Sequence, residues 1–172
     1  MSLGLETFTA IHVLISLVAI AAGVVVAWGL LTAKRLNGWT SLFLATTLLT
    51  SLTGFLFPFH GFKPSYVVGA LSVVILIVAY YARYSRHMAG HWRWIYAVMA
   101  MLAFYFNFFV LVVQSFAKIP ALKELAPTQS EPPFAITQLA VLIVFGCLTV
   151  LAAIRFRPDA TAPSAAELRP AI

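Results

Sequence analysis

The chain has 172 residues, 62% of them hydrophobic and 9% charged, with a formal net charge of +6. Soluble domains carry about 25% charged residues, so this composition cannot build a water-facing surface. It excludes a soluble enzyme, a nucleic-acid-binding domain and a disordered chain, and it points into the bilayer.

Five stretches reach the roughly 20 mostly apolar residues that a spanning helix needs: 8–33, 39–57, 66–84, 94–117 and 135–156. The expected fold is therefore all-α, an integral membrane bundle of five transmembrane helices forming a single domain over 1–156. The Pro/Ala-rich stretch 157–172 reads as a disordered cytoplasmic tail. No basic segment precedes the first stretch, and it is too long for a signal peptide's apolar core, so it reads as a retained helix.

Helix association in lipid gains little from hydrophobicity, so small and polar residues mark buried faces. The first span carries His12, Ser16, Ala19, Gly23 and Ala27 on one stripe. The second carries Thr46, Thr50 and Thr53, with Ser51 beside them. The third is almost wholly apolar, with Gly69 and Ser72 as small contacts, and is expected to face lipid or another subunit. The fourth aligns Tyr96, Ala100, Asn107 and Gln114, and the fifth Gln138, Thr149 and Ala152.

Basic residues give the orientation. Lys34, Arg35, Arg83, Arg86, Arg93, Arg155, Arg157 and Arg169 share one side, against Lys63, Lys118 and Lys123 on the other. The positive-inside rule puts the C-terminus in the cytoplasm and the N-terminus outside. Trp28, Trp39, Trp92 and Trp94 sit near the same inner boundary, where amphipathic rings prefer to lie.

In this frame the outer half holds His12, Ser16, Thr50, Thr53, Gln114, Thr137 and Gln138, with Asn107 near the midplane. One reading is an outward-facing polar pocket lined by Ser16, Thr50, Thr53, Asn107, Gln114, Gln138 and Glu131. The other is that these groups simply hydrogen-bond between helices or back onto their own helix. The loop 118–134 caps such a pocket, serves as a partner surface or acts as a spacer. Its first half, 119–125, is expected to form a short interfacial helix. Its second half is expected to run extended, stiffened by Pro127, Pro132 and Pro133.

His12 and His60 lie on the same side in different segments, so they can supply the two opposite ligands of a b-type haem. A zinc or copper ion would need a further ligand, such as Glu6 or Glu131. His87 and His91 are spaced i, i+4 among arginines that repel a cation, and 83–93 reads as a basic loop contacting anionic headgroups. No carboxylate lies within a span, and no phosphate loop, zinc-protease motif or nucleophile elbow is present. No catalytic residue is expected.

The segments TTLLTSLTGFLFPFHG (46–61) and LAPTQSEPPF (125–134), with the five-span layout, resemble small uncharacterised bacterial multi-pass membrane proteins. That resemblance implies a bacterial inner membrane and no particular chemistry. A looser one, to multi-span b-type cytochromes, rests on histidines near span ends, and this chain lacks paired intramembrane histidines on both sides.

The function expected from the residues is an accessory or small-ligand-binding membrane protein working through the periplasm-facing pocket. The alternatives are a redox protein using one b-type haem or quinone at His12 and His60, and a channel or transporter. Expected partners are the lipid bilayer and either a second copy, giving a homo-oligomer, or a larger membrane complex, with no nucleic acid.

Overall fold

The computed structural model describes residues 2–57 and 64–157. Within them the chain is all-helical. In order come α1 (Ser2–Leu31), α2 (Asn37–Gly54), α3 (Pro64–Tyr80), a π-helical turn (Tyr81–Ser85), α4 (Trp92–Lys118), the short α5 (Pro120–Leu125) and α6 (Pro132–Arg155). Four segments are long and apolar enough to cross a membrane: Gly4–Leu31, Tyr66–Ser85, Trp92–Lys118 and Pro132–Arg155. The stretch expected at 39–57 folds as α2, which is shorter and more polar because its 18 residues include five threonines and two serines.

The ends of the elements follow from side-chain chemistry. Nothing in 2–8 breaks a helix, and Thr9 Oγ1 donates to the Leu5 carbonyl at 2.7 Å, so α1 starts well before the apolar run. A helix boundary need not coincide with a polarity boundary. α1 stops where Ala33 turns left-handed (φ 56°), which lets the Lys34 N–H reach the Gly29 carbonyl at 2.8 Å. That is a Schellman-type closure, normally made by glycine. Pro132 and Pro133 do not extend the loop as expected from sequence. They open α6, where a fixed φ suits the first helical turn and a missing N–H costs nothing.

Long helices adjacent in sequence pack side by side. α1 lies on α2, α2 on α3, α3 on α4 and α4 on α6, and α6 returns to α1 to close the ring. α4 also crosses to α1 through Gly23. A Cβ at Gly23 would sit 2.4 Å from Phe104 Cδ2, so only glycine lets this ring approach α1. Phe104 then meets Phe43 of α2 and Phe145 of α6 edge-on, with centroids 6.2 and 5.0 Å apart. Each such pair contributes about 0.5–1.5 kcal/mol. One phenylalanine thereby joins four helices.

Two expected faces need correction. α2 buries Thr40, Phe43, Leu44 and Thr47, so its inward stripe is rotated from the one through Thr46. Thr46 is half-buried and returns its hydroxyl to the Leu42 carbonyl at 2.7 Å, which hides the group without a partner helix. α3 is a packed element rather than the lipid-facing one, since Ser72, Leu76 and Ala79 are buried. Of the four membrane-length segments α6 is the most peripheral, with 6% of its window buried against 28%, 28% and 33% in the other three.

The core is uneven along the bundle. Ala22, Leu30, Phe43, Leu44, Ala79, Tyr96, Ala97, Ala100 and Met101 are all at most 2% exposed. They cluster toward the end that carries the 32–36 and 86–91 connections, termed here the basic end. Residues 105–113 of α4, toward the opposite or loop end, are only half-buried.

Candidate functional site

At the loop end α1 and α2 bring four of the expected residues together. His12 Nδ1 lies 2.8 Å from Thr53 Oγ1, and Ser16 Oγ lies 3.4 Å from Thr50 Oγ1. Ser16 also donates to the His12 carbonyl at 2.8 Å. Thr53 Oγ1 donates to the Leu49 carbonyl at 2.6 Å, so its one proton is already committed. It must therefore accept from His12, which places the ring proton on Nδ1 and leaves a lone pair on Nε2. The ring stands edge-on to Phe57, centroids 5.1 Å apart, and Phe57 also meets Phe8 at 5.0 Å. Gly54 leaves room beside it, since a Cβ there would lie 3.9 Å from His12 Cε1.

The other expected lining residues separate from this cluster. Asn107 Nδ2 donates to Thr47 Oγ1 at 3.0 Å, pinning α4 to α2 deeper in the bundle. Gln138 Nε2 donates to the Phe109 carbonyl at 3.2 Å, tying α6 to α4, while its buried Oε1 has no partner among the described residues. Gln114 is exposed. Glu131 turns to its own loop rather than toward His12, accepting from Thr128 Oγ1 at 2.8 Å and from the N–H groups of Thr128 and Ser130 at 3.1 Å each. His60 lies outside the described residues. Among the described residues no three His, Cys, Asp or Glu side chains gather as a metal site.

The loop 118–134 is an ordered cover on α4 and α6. α5 forms where a short helix was expected, opened by Pro120. Gln129, left-handed at φ 59°, donates from Nε2 to the Val113 carbonyl at 2.9 Å. Phe116 and Phe134 meet edge-on at 5.4 Å, closing the loop across its base. Slight desolvation pushes the Glu131 carboxyl up, but the Thr128 hydroxyl and loop N–H groups outweigh it, holding the carboxyl below the ordinary value of 4.5.

The basic end holds a group whose role the sequence reading missed. Arg83, in the π-turn, is only 7% exposed. Its Nη2 donates to Asn37 Oδ1 at 2.8 Å. Its guanidinium lies 5.4 and 5.6 Å from the ring centres of Tyr96 and Tyr84. The three described carboxylates, Glu6, Glu124 and Glu131, are all at the loop end. The buried cation is held by dipoles and ring faces in place of an ion pair. An arginine inside the expected span 66–84 was the available signal, absorbed there into the orientation argument. Nearby, Arg93 donates to the Phe156 carbonyl, fastening the start of α4 to the end of α6.

Two surface cavities lie away from His12. One, of about 530 Å3, is formed by residues 85–92, and the other, of about 600 Å3, is an apolar hollow on α6 beside Gly146 and the exposed Cys147. Comparison with protein-family models, curated proteins and solved structures gives no match.

Proposed function

We propose that this chain is a five-span protein of a bacterial inner membrane, N-terminus outside, and that it binds a small ligand or partner through its loop end. α2 serves as the fifth span. Its 18 residues cover about 27 Å at 1.5 Å each, close to the hydrocarbon thickness of about 30 Å. The hydroxyls of Thr46, Ser51 and Thr53 bond back to carbonyls of their own helix, which makes that depth tolerable.

The observation that carries the ligand-binding reading is His12. An ionisable side chain within a membrane-length helix is costly and calls for a use. Its Nδ1–H is held by Thr53, so Nε2 is a preset acceptor beside the Phe8/Phe57 rings. Such a site suits an amphiphile with a flat or short head bearing a hydroxyl or ammonium donor. A quinol has that chemistry. Loop 118–134 closes the same end of the bundle, fastened to α4 through Gln129.

The same tautomer favours one second reading. A histidine that ligates iron through Nε2 usually donates its Nδ1–H to a fixed acceptor, as His12 does. A b-type haem would then take His12 and His60 as its axial pair.

One preparation tests both readings. The full chain is extracted in mild detergent, its oxidised and dithionite-reduced spectra are recorded, and retained small molecules are identified by native mass spectrometry. The expected result is a colourless protein with a retained donor-headed amphiphile that His12→Phe loses and Gln114→Leu keeps. A Soret band lost in His12→Phe transfers the assignment to haem. A colourless protein whose retained molecules ignore His12→Phe sinks the site.

A further inference from the structure

The cavity at the basic end is lined by Ser85, Arg86, Ala89, Gly90, His91 and Trp92. We infer that it is a binding site for the phosphate of an anionic phospholipid headgroup, with Arg86 as the phosphate ligand.

Arg86 is exposed, yet its position is fixed. Its guanidinium sits 5.3 Å over the Trp92 ring, and Trp92 is held edge-on by Tyr81 at 5.1 Å. A guanidinium stacked this way keeps its N–H fork in plane and free to meet two phosphate oxygens at once. Its ordering cost is already met in the free protein, which favours binding. Arg93, by contrast, is engaged with the Phe156 carbonyl, and Arg83 is buried. Arg86 is thus the cation available to the cavity. The three described carboxylates lie at the far end of the bundle, so none of them competes for it.

The backbone around the cavity is shaped at some cost. His87 and Met88 are left-handed at φ 49° and 57°, and Gly90 at φ 52°. Two consecutive non-glycine residues in that region are strained, and such strain collects at binding sites. The turn is held by the Met88 N–H on the Ala82 carbonyl at 2.9 Å and the Arg86 N–H on Tyr81 at 3.0 Å. At Gly90 a Cβ would meet nothing within 4 Å, so the main chain there stands open to the cavity.

Position selects a lipid as the source of the phosphate. The cavity lies between the ends of two membrane-length segments, Tyr66–Ser85 and Trp92–Lys118. Trp92 lines it, with Tyr81 against the far edge of that ring, and rings of this kind lie at headgroup level. A headgroup arriving there brings acyl chains that run down the exposed apolar faces of the same helices, including Val74 and Ile77 of α3.

The test uses the full chain in mild detergent with two probes, dioleoyl phosphatidylglycerol and dioleoyl phosphatidylcholine, read by native mass spectrometry. The wild type is expected to retain the glycerol lipid at least about tenfold more than the choline lipid. Arg86→Gln and Trp92→Leu should bring that ratio near one, while Arg157→Gln, a charge loss at the same end outside the cavity, should keep it. Size-exclusion profiles matching the wild type confirm that each variant is folded. The proposal fails if Arg86→Gln keeps the preference, or if Arg157→Gln loses as much. A third arm adds millimolar inorganic phosphate. Unchanged lipid retention sustains the lipid source, and Arg86-dependent displacement overturns it in favour of a soluble phosphate.

Discussion

The two ends of the bundle solve the same problem in opposite ways. Each must hold polar side chains in or near lipid. The basic end encloses them: Arg83 is sealed by Asn37, Tyr96 and Tyr84 among close-packed alanines. The loop end leaves them half-covered: His12, Ser16, Thr50 and Thr53 form a hydrogen-bonded ladder between α1 and α2, beside a helix α4 that has lost its dense packing. Dense packing around a satisfied group builds rigidity. Loose packing around a group with one free lone pair leaves room for a guest.

That contrast sets a ranking for mutations, and unfolding in detergent micelles measures each. Arg83→Ala should be the most damaging, at about 2–4 kcal/mol, because it empties a packed site and removes two cation–π contacts. Equal loss in Arg83→Met would mean that charge, not volume, carries the effect. Gly23→Ala should cost about 1–3 kcal/mol by driving Phe104 off α1, whereas Gly146→Ala, which meets nothing within 4 Å, should fall within about 0.5 kcal/mol of the wild type. Thr53→Val, at the loop end, should cost only about 0.6–1.7 kcal/mol, in the range of single interhelical hydrogen bonds. A loss as large as that of Arg83→Ala would erase the distinction between the ends. Ala33→Gly should stabilise by about 1 kcal/mol, since glycine takes the left-handed position without strain.

The mildest effect is on pH. The folded Glu131 carboxyl sits below its ordinary value, so the charged form is the one the loop stabilises. That stabilisation is complete above the ordinary glutamate value and disappears as pH falls through the lowered one. Limited proteolysis at 126–131 should therefore quicken in acid, and Glu131→Gln should show the faster cleavage at neutral pH. Equal rates for wild type and variant at neutral pH would remove Glu131 from the loop's supports.

Much of the helical layout was legible from hydropathy, because apolar length is a direct requirement of the bilayer. The α1 stripe was legible too, since Ala19, Gly23 and Ala27 are small where another helix comes close. The α2 face was not. A threonine can hide its hydroxyl on its own helix, so Thr46 and Thr47 look alike in sequence yet lie on different faces. The relative exposure of α3 and α6 was equally silent, because an apolar side chain satisfies lipid and a neighbouring helix alike. The π-turn at Tyr81–Ser85 shifts the helical phase, so regular periodicity could not aim Arg83 inward. At the loop end the sequence named His12, Ser16, Thr50 and Thr53 together. It could not assign the ring tautomer, which depends on the Thr53 proton going to Leu49.

The enclosed guanidinium also ties together parts of the chain that lie far apart in sequence. Asn37 precedes Arg83 by 46 residues, and Tyr96 follows it by thirteen. The turn after α3 is therefore fully covered only when α2 and α4 are both in place, so three helices share one charge.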